Sequence, residues 1–133
     1  MESLAIKLYP GIKDSFMFGP SDYQPIINHI GKVLVQEDDE DYQGDTFVLL
    51  EKDSKYGFLN IGWGSCSGCD ALQGCETLTE LESLIESIID EVKWFDTLDS
   101  CLEYIASEKR GYDYFGETSS YSKFQQKCLE VKK

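Results

Sequence analysis

Two apolar runs in the middle of the chain have the composition of β-strands. The first covers residues 46–51 and the second residues 56–63, and both are rich in β-branched, aromatic and large aliphatic side chains. Only a short polar stretch around residues 53–55 lies between them. Two such runs so close in sequence predict an antiparallel β-hairpin.

Helical periodicity begins after the predicted hairpin. Thr77 and Glu80 have the spacing of a capping box, which predicts the start of a helix. The apolar residues that follow recur at steps of three and four, the pattern of one buried stripe on a helix of about five turns. This stripe contains Leu78, Leu81, Ile85, Ile88, Val92 and Phe95.

Two further helices are predicted towards the C-terminus. One starts after Asp96 or Thr97 and ends at Gly111, and the other lies within residues 119–131. The residues that we expect to face inward are Leu98, Cys101, Leu102 and Ile105 in the first helix and Phe124, Cys128 and Leu129 in the second.

The first third of the chain has shorter patterns. Alternating apolar residues predict a short strand over residues 4–9. A helix with Pro25 in its first turn should follow. Its buried side is expected to contain Ile26, Ile27, Ile30 and Val33. Five consecutive acids, residues 37–41, repel one another and predict a solvated loop.

Together these elements predict a single α+β domain over residues 1–133. A chain of 133 residues, 41% of them hydrophobic, has the size of one domain and can bury one core. A β-rich first half followed by helices is typical of the α+β class. We expect an antiparallel β-hairpin or small sheet packed against two or three C-terminal helices.

The composition is strongly acidic. Asp and Glu number 25 against 12 Lys and Arg, which gives a formal net charge of −13, and Arg110 is the only arginine. Direct binding of nucleic acid needs a basic surface, so this balance excludes it. No apolar run is long enough for a membrane span and the first residues lack a signal-peptide pattern, so we expect a cytoplasmic protein.

Part of the negative charge recurs along the helix predicted after Thr77. Glu82, Glu86 and Asp90 are four residues apart, so they share a face that differs from the apolar stripe. Such a row is either a merely solvated surface or a contact for a macromolecule with a basic surface, whose association it would accelerate by electrostatic steering.

Three cysteines lie between the predicted hairpin and this helix. Cys66 and Cys69 form a C-x-x-C pair, and Cys75 follows six residues later. This spacing fits three thiolate ligands of a structural zinc ion, which needs four ligands. The candidates for the fourth ligand are Cys101, Cys128, His29 and Asp70.

Other interpretations of the cysteines stay open. A C-x-x-C pair that enters a helix is also typical of thiol oxidoreductases, the enzyme class nearest to this sequence. However, all three prolines precede the motif, whereas thioredoxin-like domains place a cis-proline and further strands after it. Reduced cysteines also serve as small buried apolar residues. Because no complete catalytic set is present, we expect a protein that is not an enzyme.

The cysteine segment is also rich in glycine and serine, which permit sharp turns and close approach of a ligand. Its candidate interaction or ligand residues are Trp63, Ser65, Ser67 and Asp70. Outside it, the lone His29 is either half of a Cys–His pair with Cys66 or a helix residue at the core edge. The aromatic residues Tyr104, Tyr112, Tyr114, Phe115 and Tyr121 form either a protein-binding patch or a cover over the core.

Residues 56–73 carry a resemblance to a known group. Their core, Trp-Gly-Ser-Cys-Ser-Gly-Cys-Asp at residues 63–70, resembles a segment of small acidic proteins encoded by bacteriophages, and residues 42–45 and 93–96 resemble the same group. The resemblance implies a phage or prophage accessory protein that acts in the cytoplasm of a bacterial host.

Charge, size and resemblance together lead to a functional hypothesis. We expect a non-catalytic protein that binds and inhibits or modulates a host protein, such as a defence or nucleic-acid enzyme. The alternative is a metal- or small-ligand-binding domain centred on Cys66, Cys69 and Cys75, with zinc as the candidate ion.

Overall fold

The computed structural model describes residues 4–10, 22–38, 44–63, 72, 74–75, 77–107 and 120–131. Within these residues the chain forms five helices and four strands. In chain order they are α1 (Leu4–Leu8), α2 (Gln24–Ile30), β1 (Lys32–Asp38), β2 (Gly44–Lys52), β3 (Lys55–Trp63), α3 (Leu78–Glu91), β4 (Lys93–Phe95), α4 (Leu98–Ser107) and α5 (Ser120–Val131).

The four strands form one antiparallel sheet in the order β1-β2-β3-β4. Its centre is the predicted hairpin, in which β2 and β3 pair without interruption from Gly44↔Trp63 to Lys52↔Lys55. Asp53 and Ser54 form the two-residue turn with positive φ angles of 52° and 66°. Such left-handed angles match the twist of the flanking strands. The predicted α+β class and the central hairpin are therefore confirmed.

Helices cover both faces of the sheet. Helices α1, α2 and α3 form one layer, the α1–α3 layer, which packs on the face that carries Val48, Leu50 and Leu59. Helices α4 and α5 form the α4–α5 layer, which packs on the face that carries Phe47 and Leu49. Because both faces are buried, residues 47–50 of β2 are all fully buried and the strand shows no polar alternation. The molecule thus has two apolar cores, one on each side of the sheet.

The N-terminal segment differs from its prediction. Residues Leu4–Leu8 form a helix, not a strand. Ala5 of this helix is fully buried in the core of the α1–α3 layer, and its backbone N–H donates to Glu82 Oε1 at 2.9 Å. A run of only five residues fits both the helical period and the strand period, so the tertiary contacts with α3 decide its conformation.

The predicted second helix is confirmed but shorter. Pro25 lies in the first turn of α2, whose buried residues are Ile26, Ile27 and Ile30. Val33 was wrongly assigned to this helix, because the chain leaves α2 at Gly31 and continues as β1. The acidic run was expected to be a loop, but its first two residues complete β1, and residues 39–41 lie outside the described part.

The long predicted helix is α3, which has 14 residues and buries Leu81, Ile85 and Ile88. Thr77 caps it as expected, since its side chain accepts a hydrogen bond from the Glu80 N–H at 3.1 Å. The stripe was extended too far, because Phe95 belongs to β4. None of the helices in the described part of the chain is long and apolar enough to cross a membrane.

The edge strand β4 was not predicted. It pairs Trp94 with Gly57 of β3. A Cβ atom at Gly57 would lie 2.8 Å from Val92 Cγ1 and 2.9 Å from Trp94 Cε3, so only glycine lets these side chains approach the sheet. Trp94 remains 36% exposed at this edge.

The two C-terminal helices are confirmed. α4 begins after Thr97, whose Oγ1 accepts from the Ser100 N–H at 3.1 Å, and buries Cys101, Leu102 and Ile105. In α5, Phe124 and Cys128 are buried, but Leu129 is 56% exposed and does not face inward as expected. On a helix Leu129 lies about 100° from Cys128, which places it beside the core and not within it.

Candidate functional site

The cysteine segment is only partly covered by the structure. Cys66, Cys69 and the candidate loop residues Ser65, Ser67 and Asp70 lie outside the described residues. Cys75 is described and is buried in the core of the α1–α3 layer. No group of three or more His, Cys, Asp or Glu that could hold a metal ion occurs among the residues described. The zinc site therefore stays a prediction.

Two of the candidate fourth ligands are separated from Cys75 by the sheet. Cys101 and Cys128 belong to the core of the α4–α5 layer, whereas Cys75 belongs to the opposite core. Burial raises the pKa of both the Cys101 and the Cys128 thiol to about 12. Thiols that hold their protons so firmly are poor nucleophiles. They serve as apolar core residues, as expected from their helix positions.

Trp63 ends β3 and is held by a chain of polar contacts. Its indole Nε1–H donates to Thr46 Oγ1 at 3.0 Å, and the Thr46 hydroxyl donates to Asp38 Oδ1 at 2.5 Å. Thr46 is buried, so these bonds satisfy groups that would otherwise be costly to bury. The indole N–H is thus used within the fold, and only the half-buried ring of Trp63 is left for a ligand.

The predicted acidic face of α3, which consists of Glu82, Glu86 and Asp90, is only partly exposed to solvent. Glu86 and Asp90 are exposed, but Glu82 is half-buried and accepts the hydrogen bond from the Ala5 N–H of α1. Glu82 therefore fixes α1 against α3 in addition to carrying charge. The exposed carboxylates on this helix also include Glu80 and Glu91, and α3 carries no basic residue.

Two of these acids occupy an unfavourable position on the helix. Asp90 and Glu91 lie in the last turn of α3, where the partial negative charge of the helix dipole repels carboxylates. Stability alone would favour Lys or Arg in that turn by about 0.3–1 kcal/mol per residue. Residues that oppose local stability are often retained for function.

A second group of acids lies at the end of β1. Glu37 pairs with Lys127 of α5, and this hydrogen bond and charge raise the pKa of Lys127. Asp38 accepts from Thr46 and from Gln36 Nε2. On the side of α2, the Gln36 and Gln24 amides bond reciprocally at 2.8 and 3.0 Å. None of these contacts was predicted, since β1 itself was not.

The predicted aromatic cluster divides between core and surface. Tyr121 is buried, and its hydroxyl donates to the Ile105 carbonyl at 2.6 Å. Tyr104 is half-buried, with Lys93 Nζ 4.6 Å from its ring centre. Tyr112, Tyr114 and Phe115 lie outside the described residues. His29 is exposed on α2, so the helix-residue interpretation fits it.

Two grooves flank α5. The first lies between α4 and α5, has a volume of about 290 Å³ and contains the exposed side chain of Leu129. The second, about 390 Å³, runs beside β1. We call it the β1 edge groove; its lining residues are Leu34, Val35, Gln36, Lys127, Glu130 and Val131.

Comparison of the chain with protein-family models, curated proteins and solved structures finds no match.

Proposed function

We propose that this protein is a small, acidic, non-catalytic accessory protein that binds and modulates a host protein with a basic surface. The formal charge of −13 is the observation that carries the proposal. A field of this size attracts basic surfaces and accelerates their association, while it repels nucleic acid.

The outer face of α3 is the contact that we propose for the basic partner. Glu86 and Asp90 are exposed there and no base on the same helix neutralises them. The acids in the last turn weaken the helix, so their presence is better explained by binding than by stability. Glu82 contributes charge from the edge of this face, where it also holds α1.

The biological setting is part of the same proposal. The resemblance of residues 56–73 to small acidic phage proteins supports a phage or prophage origin and action in a bacterial cytoplasm. Defence enzymes and nucleic-acid enzymes are suitable targets, because the clefts in which they bind nucleic acid are basic. An acidic protein can occupy such a cleft and block it.

Affinity capture from a bacterial lysate tests the proposed contact. The intact protein should retain a specific partner at about 0.05 M salt and release it at about 0.5 M, because salt screens charges beyond a few ångströms. Glu86→Lys should weaken retention at least about tenfold.

Glu103→Lys is the matched control for this experiment. Glu103 is an exposed mid-helix glutamate on α4, on the opposite side of the sheet, so both variants change the net charge equally. Retention that does not depend on salt would reject the electrostatic proposal. Equal weakening by the two variants would reject the α3 face as the contact while keeping the role of net charge.

A further inference from the structure

The outer edge of β1 has no pairing strand among the described residues. β1 is the first strand of the sheet and is bonded only to β2. Among the described residues no strand pairs with its outward N–H and C=O groups, which is the arrangement that accepts another extended chain. The sequence of β1, Lys-Val-Leu-Val-Gln-Glu-Asp, contains no proline, so the features that oppose such pairing are its bulge and its charged residues at the two ends.

The second half of β1 is regular enough to act as a template. A bulge at Leu34 shifts the register between Val33 and Val35. The four residues after it keep an unbroken register with β2, from Val35↔Leu49 to Asp38↔Thr46. A partner strand would therefore pair along residues 35–38, where side chains alternate between the two faces of the sheet.

The β1 edge groove gives this edge room for side chains on the α5 side. Val131 and Leu34 form its apolar part and Glu130 supplies a carboxylate. On the other side of the edge, the paired amides of Gln24 and Gln36 form a polar wall. The site thus accepts side chains with an apolar stem and a polar or charged end.

The charge at this edge selects a basic occupant. Glu37 and Asp38 end the strand, and Glu130 of α5 lies beside it in the groove. A second copy of the chain would bring a further charge of −13 to the same place, so self-pairing is opposed by repulsion. A lysine- or arginine-rich segment is attracted by the same field.

We propose that the β1 edge groove binds an extended basic segment of the partner protein as a fifth strand of the sheet. Backbone hydrogen bonds to β1 supply affinity, and basic side chains directed at Glu130 and the acidic end of β1 supply selectivity. The inference rests on the proposed function, because it adds a second contact, separate from the α3 face, that holds an extended segment of the same basic partner.

Lys127 already pairs with Glu37, one of the carboxylates that a basic segment would bind. Its ammonium group binds Glu37 at the wall of the groove. An incoming cation must therefore compete with Lys127, and Lys127→Ala should increase affinity for basic peptides about two- to tenfold. A surface at which removing a lysine strengthens binding is diagnostic for a cationic occupant.

The test uses the full chain and a synthetic peptide of eight alternating valines and lysines. Titration of the ¹⁵N-labelled protein should shift the amide signals of residues 35–38 and slow the hydrogen exchange of those residues whose N–H points away from β2. Leu34→Lys should weaken binding at least about tenfold, because it places a cation at the edge. Glu130→Gln, a milder change on an exposed residue, should weaken it about two- to fivefold.

Leu129→Lys is the matched control. It makes the same substitution and charge change on the other face of α5, in the α4–α5 groove, and should change affinity less than twofold. Circular dichroism of each variant establishes that it is folded. Because Leu34 is half-buried, Glu130→Gln and Lys127→Ala keep the test valid if Leu34→Lys fails to fold.

Several outcomes would overturn the inference. Absence of peptide binding, or equal loss in Leu34→Lys and Leu129→Lys, excludes the β1 edge as the site. Protection of residues 35–38 that depends on protein concentration without peptide identifies a second copy as the occupant. Signal shifts confined to α3 contradict the edge site but leave the proposed function intact, because a basic ligand would still bind the acidic surface.

Discussion

Cys101 and Cys128 are the two cysteines whose chemistry the structure defines. Both lie in the core of the α4–α5 layer, where burial raises the pKa of each thiol to about 12. In an unfolded chain a cysteine ionises near pH 8.5. Folding therefore keeps these thiols protonated over a pH range in which the unfolded chain releases the protons.

This difference predicts slow alkylation of both residues in the native state. At pH 8, iodoacetamide should modify Cys101 and Cys128 at least about a hundredfold more slowly in the folded protein than in urea, as read by peptide mass spectrometry. Comparable rates in the two states would show that these thiols are not buried as the structure places them.

The same pKa shifts fix the sign of the stability change at high pH. The folded state binds more protons than the unfolded state above about pH 8.5, so its free energy of unfolding should fall as the pH rises from there towards about 12. Cys101→Ser or Cys128→Ser should remove the part of this decrease in the free energy of unfolding that the substituted cysteine causes.

At the scale of elements, the hairpin turn combines a twist that suits the two strands with an unfavourable backbone conformation at Ser54. Asp53 and Ser54 both adopt left-handed backbone angles, which aspartate tolerates but which are strained for serine. The long register of β2 with β3 compensates for this strain. Sequence alone located the turn, because polar residues separate two apolar runs, but it did not show the strain.

We predict that Ser54→Gly stabilises the protein by about 0.5–1 kcal/mol, since glycine adopts a φ of 66° without steric cost. Urea unfolding followed by tryptophan fluorescence measures the change. Ser54→Ala is the control, because alanine keeps the Cβ atom and should give no gain. A glycine variant with an unchanged or lower midpoint would contradict the left-handed turn.

At the scale of the whole molecule, the net charge of −13 has opposite effects on folding and on binding. Self-repulsion destabilises the compact state, whereas the same field attracts a basic partner. The ion pairs between described residues include Lys127–Glu37 and Lys55–Asp96, and the second is largely exposed.

Added salt should consequently stabilise the isolated protein while it weakens partner capture. Raising KCl from about 0.02 M to about 0.3 M should increase the urea midpoint, because the Debye length falls below the spacing of most surface charges. Glucose at matched osmolality controls for solvent effects that do not involve charge. A midpoint that falls or stays constant would show that self-repulsion does not limit stability.

Local patterns in the sequence determined the hairpin, α2 and the three C-terminal helices. The capping pair Thr77 and Glu80 and the apolar steps of three and four were sufficient for α3, because these signals act within one or two turns. The excess of acids likewise required only the composition, so the electrostatic basis of the proposed function came from sequence alone.

Tertiary structure decided which strands form the edges of the sheet and which contacts individual acidic side chains make. β1 and β4 exist because β2 and β3 offer them backbone partners, and no periodicity within such short segments reveals a distant partner. In the sequence, nothing distinguishes Glu82 and Glu37 from solvated acids. In the structure, Glu82 holds α1 and Glu37 binds Lys127. Contacts between residues about 80 to 90 positions apart set these roles, and a linear pattern does not encode them.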